Sequence, residues 1–335
     1  MAQWRCVVVV ALAVGLCAGC AHRRPPRARG VRPVAKPWIA TRSLCIFPMA
    51  GTPARAEPDA MAAAIAAGYR SRLEVPDGAE LVRIEPGPRA GHFGSVHIDL
   101  SDVRVNPEDK VKKLNPLPAS QGTVTADRFE LVADPFLLEK ARLFIGLSAA
   151  DAKLDVRRDR QGRSMLTLTD ARAGVLTLEV PRQDVDWMLL HAARAAASKF
   201  GVSVDRTNLK LDIEGSRTIR VDLKIDTRVG FLPAGLRFRA RVDIDDQLNG
   251  KMTRLSCDGD QMLGPIVSSI IDPFLRKYEG ISRPLVGFDW GQMTLRDVTM
   301  DTTDAFKLEA KFGTDPARPK ATLVERKKHR KKRAA

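Results

Sequence analysis

An α+β fold is predicted: an antiparallel β-meander, highly curved, wrapped around one long apolar helix. Two observations carry the expectation. From Asn208 onward apolar and charged residues alternate strictly, with Leu209, Leu211 and Ile213 set against Lys210, Asp212 and Glu214, the period of a strand with one wet and one buried face. Between Asp258 and Tyr278 the period changes, and Met262, Leu263, Ile266, Val267, Ile270, Ile271, Phe274, Leu275 and Tyr278 recur at steps of three and four. On a wheel these positions sweep roughly 220°, about twice the stripe that docking on one surface needs. Such a helix wants apolar company on more than one side.

The elements follow in order. Thr41–Met49 is a short apolar run that reads as a first strand, and Glu57–Leu73 reads as a helix with Pro58 in its first turn. Leu81–Ile84 and Val96–Val105 are strands around the Gly/Pro-rich stretch Pro86–Gly94, and Pro107–Gln121 is a polar loop. Thr123–Val132 alternates again, after which Asp134-Pro135 resembles a helix N-cap opening PFLLEKARLFIG. Ala152–Arg158 and Ser164–Leu168 form a hairpin with Gly162 available for a positive φ, and Val175–Val180 adds a strand. A helix over Gln183–Phe200 presents Val185, Met188, Leu189, Ala192 and Ala196 on one face. Ile219–Ile225 and Leu236–Ile244 continue the meander, Asn249-Gly250 turns it, and Met252–Cys257 returns. Gln292–Met300 and Phe306–Phe312 alternate after the apolar helix, in which Pro273 predicts a bend.

Charge is unevenly placed. Of 55 Lys and Arg, Arg5, seven residues between His22 and Arg42, and seven in Leu323–Ala335 lie outside the body. Setting them and Glu325 aside leaves 40 basic and 39 acidic residues between Ser43 and Thr322, a nearly neutral body that lacks the basic balance of a nucleic-acid-binding domain.

The N-terminus reads as an export signal. Arg5 precedes an apolar run over Cys6–Gly19, the length of a signal-peptide core, ending Leu16-Cys17-Ala18-Gly19-Cys20. Small-small-Cys at that place resembles the lipobox of bacterial lipoproteins, which implies lipidation at Cys20; the alternative is an ordinary signal peptide with a chance Cys. Cys17 stands where that pattern prefers Leu, and Ala21 resembles the outer-membrane sorting choice. The organisation expected is a signal peptide over 1–20, a Pro/Arg-rich tether over 21–42, a body over 43–315 subdivided near 180, and a basic tail over 316–335. Cys45 and Cys257 are then the body's two cysteines, either a disulfide or two buried thiols.

Catalytic constellations are scarce. The body's histidines are His92, His97 and His191, and the first two, five apart, fall on opposite faces of a regular strand, a poor metal pair. HExxH, GxSxG and P-loop motifs are missing, and Asp245-Asp246 and Asp301/Asp304 read as turn residues. No enzyme, cofactor or metal is called for.

The helix Val185–Phe200, the strand LRFRARVDI, the return MTRLSCDG, the apolar helix, Leu285–Phe288 and MTLRDVTM together resemble LmeA-like periplasmic proteins. DPFLLEKARL resembles their Pro-Phe-Leu region, and YceB-like lipoproteins share the order. Both are associated with the tubular lipid-binding (TULIP) superfamily. The resemblance covers Val124–Phe312 and implies a curved sheet wrapped around a helix and acyl chains; it carries no catalytic residue. The expectation is an envelope lipoprotein on the periplasmic side, outer-membrane-anchored, binding a phospholipid or other lipid. The groove would be lined by Met262, Ile266, Ile270, Phe274, Tyr278, Phe238 and Leu236. The alternatives are an interaction lipoprotein with a closed core, whose basic ends bind an anionic envelope polymer, and a lipid-acting envelope enzyme.

Overall fold

The computed structural model describes residues 45–51, 57–105, 117, 119–197, 202–215, 217–229, 232–245, 249–276, 278–284 and 293–314. The segments expected to form a signal peptide, a lipobox at Cys20, a tether and a basic tail lie outside the described residues. The chain is mostly β-sheet, an α+β protein with three helices among the described residues. β1 (Ile46–Pro48) is followed by α1 (Pro58–Arg70), then β2 (Val82–Pro86), β3 (His92–Asp99) and β4 (Arg104–Val105). β5 (Ser120–Leu138), β6 (Ala141–Arg158), β7 (Ser164–Asp170) and β8 (Ala173–Pro181) lead to α2 (Arg182–Ala197). β9 (Val202–Gly215), β10 (Thr218–Val229), β11 (Leu232–Ile244) and β12 (Asn249–Asp260) lead to α3 (Gly264–Leu275). β13 (Ser282–Pro284), β14 (Thr294–Asp301) and β15 (Ala305–Gly313) close the described chain.

The strands form two sheets instead of one. The larger has ten strands along the path β14-β15-β8-β6-β5-β3-β2, with β1, β4 and β7 on its branches. The smaller runs β13-β12-β11-β10-β9. All pairings of the smaller sheet are antiparallel, whereas β3 and β4 run parallel to β5, so the larger sheet is mixed. Because β15 returns to pair with β8 and β14 pairs with β15, the two sheets interleave in sequence.

No helix occupies PFLLEKARLFIG. β5 continues to Leu138 through a cis Asp134–Pro135 bond and a register shift, Glu139 takes a positive φ of 52°, and β6 begins at Ala141. The segment also alternates, with Phe136, Leu138, Ala141, Leu143 and Ile145 all buried, and pairing satisfies that period. α3 is shorter than its apolar period: residues 258–260 belong to β12, and Pro273 falls two residues from the helix end, so the expected mid-helix bend has no helix beyond it to turn.

A crease crosses the larger sheet. On β5 the buried positions step from Val124 and Ala126 to Phe129 and Leu131, and on β6 from Leu147 and Ala149 to Ala152 and Leu154. On β3 they step from Phe93 to Val96. The phase slips at the same place on the paired strands, whose register is kept, so the apolar positions stay buried on both sides of it. Asp151 takes φ 51°, and Arg172, between β7 and β8, donates its amide to the Ala150 carbonyl at 3.0 Å. The Arg172 guanidinium pairs with Asp151, while Arg296 reaches the carbonyls of Arg172 (3.3 Å) and Thr314 (2.6 Å). The slip overturns the expectation for the histidines. His92 and His97 both lie opposite the buried set Phe93, Val96 and Ile98, and both meet acids on β5, Asp127 at 2.9 Å and Glu130 at 3.2 Å.

The cores differ in size. The large one takes in both arms of the larger sheet and α1, whose Gly68 lies so close to β1 that a Cβ would sit 2.4 Å from the Pro48 carbonyl oxygen. The second joins α2, β9–β12 and α3 through Leu189, Ala193, Leu223, Phe238, Cys257 and Leu275. α2 serves both, with Met188 in the first and Leu189 in the second.

Candidate functional site

The candidate site is the end of the smaller sheet that carries α3. The helix packs on β12 and β11, and three glycines seat it. A Cβ on Gly259 would lie 1.9 Å from the Gly264 carbonyl oxygen, and one on Gly264 would lie 2.7 Å from that of Gly235. Helix start and strand therefore touch backbone to backbone. Gln261 turns the chain with φ 64°, and the Leu263 amide donates to the Pro233 carbonyl at 3.3 Å. Pro265 suits the helix's first turn because its missing N–H would have no intrahelical partner there.

The two sides of α3 are unlike. Inward, Leu275 is buried among Leu236, Phe238, Leu223 and Leu189. Outward, Met262 is 70% exposed and Ile266 59%. The helix's serines add no outward polar character that seeks a partner, since Ser268 Oγ donates to the Pro265 carbonyl (3.1 Å) and Ser269 Oγ to that of Ile266 (2.8 Å). Arg276 pairs with Asp272 one turn back at 3.1 Å. Past the helix the Gly280 amide donates to the Met252 carbonyl at 2.7 Å, which returns the chain across β12.

The seven expected groove residues are thus divided. Leu236 and Phe238 lie in the closed core beneath the helices, Met262 and Ile266 point away from it, and Tyr278 is half-buried. The side chains of Ile270 and Phe274 lie outside the described set. No sheet encloses α3 among the described residues; it rests on one face of the smaller sheet. Periodicity pointed to the helix, but the glycine seat was missed; its signal is the run of small residues at Gly259 and Gly264 on either side of a strand-to-helix turn.

Cys45 and Cys257 are both buried, one in each core, and no disulfide joins them. Burial, with Asp258 and Asp272 nearby, pushes the Cys257 thiol up to about 12, so it stays protonated and unreactive at neutral pH.

The opposite face of the smaller sheet is a lattice of cross-strand ion pairs. Arg237 reaches Asp222 at 2.8 Å and Arg239 reaches Asp258 at 2.9 Å across strands, while Arg241 reaches Asp243 on its own strand at 3.0 Å. Arg220 pairs with Glu214, and Lys224 lies 3.4 Å from Asp260. The Arg237 hydrogen bond holds the Asp222 carboxyl below its usual range. Positive and negative side chains alternate here, which gives a solvated face without a large field of one sign.

Where α2 begins, Arg182, Asp186, Leu209, Leu211 and Thr302 line a cleft of about 30 Å³, room for a water or two and far too small for an acyl chain. Burial raises the Asp186 carboxyl, against the opposing charge of Arg182. His191 is exposed on α2, stacked on Trp187 with ring centroids 5.2 Å apart. Asp245 accepts the Asn249 amide at 2.8 Å and Asp301 that of Thr303 at 2.9 Å, as turn residues do. Among the described residues no group of three or more His, Cys, Asp or Glu is placed to hold a metal ion, and no helix is long and apolar enough to cross a membrane. No family model, curated protein or solved structure matches the chain.

Proposed function

We propose that the protein is an envelope lipoprotein that binds a phospholipid or another acyl-chain ligand along α3, in lipid transport or envelope maintenance. One observation carries the reading: Leu275 of α3 is buried in the core, whereas Ile266 in its first turn is 59% exposed and Met262 in the turn before it 70%. By sequence the row continues at Ile270 and Phe274, and Tyr278 stands at its end. In this reading, of the tubular lipid-binding type, acyl carbons cover that row while Leu236 and Phe238 support the helix from below. Each methylene removed from water contributes about 0.8 kcal/mol. Cys20 supplies the membrane anchor, and the basic ends steer anionic lipids in a salt-dependent way. The mechanism is burial and involves no catalytic step.

A second reading is favoured by a different observation. Leu236 and Phe238 are 5% and 4% exposed, so the core under α3 is filled, as in an interaction lipoprotein whose basic tail meets an anionic polymer. Solvent extraction of the purified protein followed by mass spectrometry separates the two. Bound lipid is expected; protein that carries none, and takes up no fluorescent fatty acid, would leave the closed-core reading in its place. Anchoring is tested by Cys20→Ala, which should release the protein from membranes.

A further inference from the structure

Five large apolar side chains are exposed among the described residues, and three of them gather at one end of the smaller sheet. Leu232 opens β11, Met262 lies in the turn after β12, and Ile266 lies in the first turn of α3. The hydrogen bond from the Leu263 amide to the Pro233 carbonyl ties the two segments together, and Pro233 and Pro265 are exposed beside them. No charged residue occurs from Val229 to Leu236 or from Gln261 to Ile271. Charge resumes at Arg228 and Arg237 on one segment and at Asp260 and Asp272 on the other.

We propose that this tip inserts into the headgroup and acyl boundary of a phospholipid bilayer. The proposal rests on the lipid-binding reading above and adds the place where the protein meets its membrane. A second copy of the chain is a poor occupant, because a stable pair of proteins buries about 800 Å² on each partner, and three side chains with two prolines fall far short of that. A bilayer needs no complementary shape. It accepts a small apolar tip bordered by long polar side chains such as Arg228, whose charged end can stay in water. So small a tip binds weakly alone, but the residues between Cys20 and Cys45 span at most about 75 Å when extended at about 3.1 Å each. A lipid anchor at Cys20 therefore holds the tip at high effective concentration beside the surface.

Spin labels introduced by Leu232→Cys and Met262→Cys test this, with Lys210→Cys on the charged face as the control. The full exported chain is reconstituted in vesicles of equal phosphatidylethanolamine and phosphatidylglycerol, and the wild-type signal is subtracted; Cys45 and Cys257 are buried. Labels at 232 and 262 should gain oxygen collisions and lose nickel-chelate collisions several-fold relative to the control. If either substitution disturbs folding by circular dichroism, Ile266→Cys carries the same expectation. Labels as open to nickel as the control would overturn the proposal. So would spin–spin broadening that grows with protein density without a gain in oxygen collisions, which marks a second copy as the occupant. Extracted lipid with a wet tip refutes the tip alone, and a lipid-embedded tip on protein that extracts no lipid refutes the ligand reading alone.

Discussion

The two sheets solve the same problem with different completeness. In the larger, the described apolar runs are buried: α1 lies on β1 and β2, the crease redirects β3, β5 and β6 without exposing a large apolar side chain, and Phe129 sits 5.0 Å from Phe47 with neither ring open to solvent. The smaller sheet is covered by α2 and α3 on one face and by charges on the other, yet Ile266 in the first turn of α3 and Met262 just before it are left exposed. The difference teaches where apolar surface is left over. The larger sheet is sealed, and the exposed apolar side chains lie where glycines bring helix start and strand backbone to backbone.

Substitutions can break or sharpen that contrast. The largest effect is expected from Phe129→Ala, which empties a fully buried ring site and should cost about 3–5 kcal/mol in denaturant unfolding. Gly259→Ala should cost about 1–3 kcal/mol, because the new methyl collides with backbone at Gly264. Its mark is local: hydrogen exchange should quicken in α3 while the amides of β5 and β6 stay protected. A uniform loss of protection would mean that the two sheets are not separable in this way.

Asp159→Asn adds a pH signature in the larger sheet. Burial alone would raise this carboxyl, but the Arg163 guanidinium and the amides of Arg163 and Gln161 outweigh it and hold it below the usual range. A depressed folded value stabilises the protein above the unfolded value and loses that contribution as pH falls through the folded one. The substitution should therefore cost about 1–2 kcal/mol at neutral pH, and the gap from wild type should close in acid. Arg237→Ala on the charged face should cost less than about 1 kcal/mol and depend on salt, since the side chain is 47% exposed.

Much of the fold was legible. The strands from β9 to β12, β14 and β15, the three helices and the hairpin at Asp159–Arg163 follow from period and turn chemistry, and Gly162 takes the positive φ of 76° that its place demands. Partner choice was not. Nothing local in Phe306–Phe312 says that it pairs with β8 and leaves the smaller sheet, because alternation specifies a face and not a neighbour. The strand over PFLLEKARLFIG was hidden by a proline that suits a helix start equally well. His92 and His97 were set on opposite faces because a bulge is invisible to a strict count of two. At the candidate site the apolar helix was evident, while its inward and outward sides could be told apart only once β11 and β12 were in place beneath it.

The central claim is that the outward side of α3 binds acyl chains, and equilibrium binding of a fluorescent fatty acid to wild type and to Ile266→Asp tests it most directly. Ile266 is 59% exposed, so the substitution should leave thermal unfolding within about 0.5 kcal/mol of wild type. Affinity should fall by about tenfold or more, the equivalent of about 1.4 kcal/mol or more. Equal binding by the two proteins, with both folded, would contradict the account.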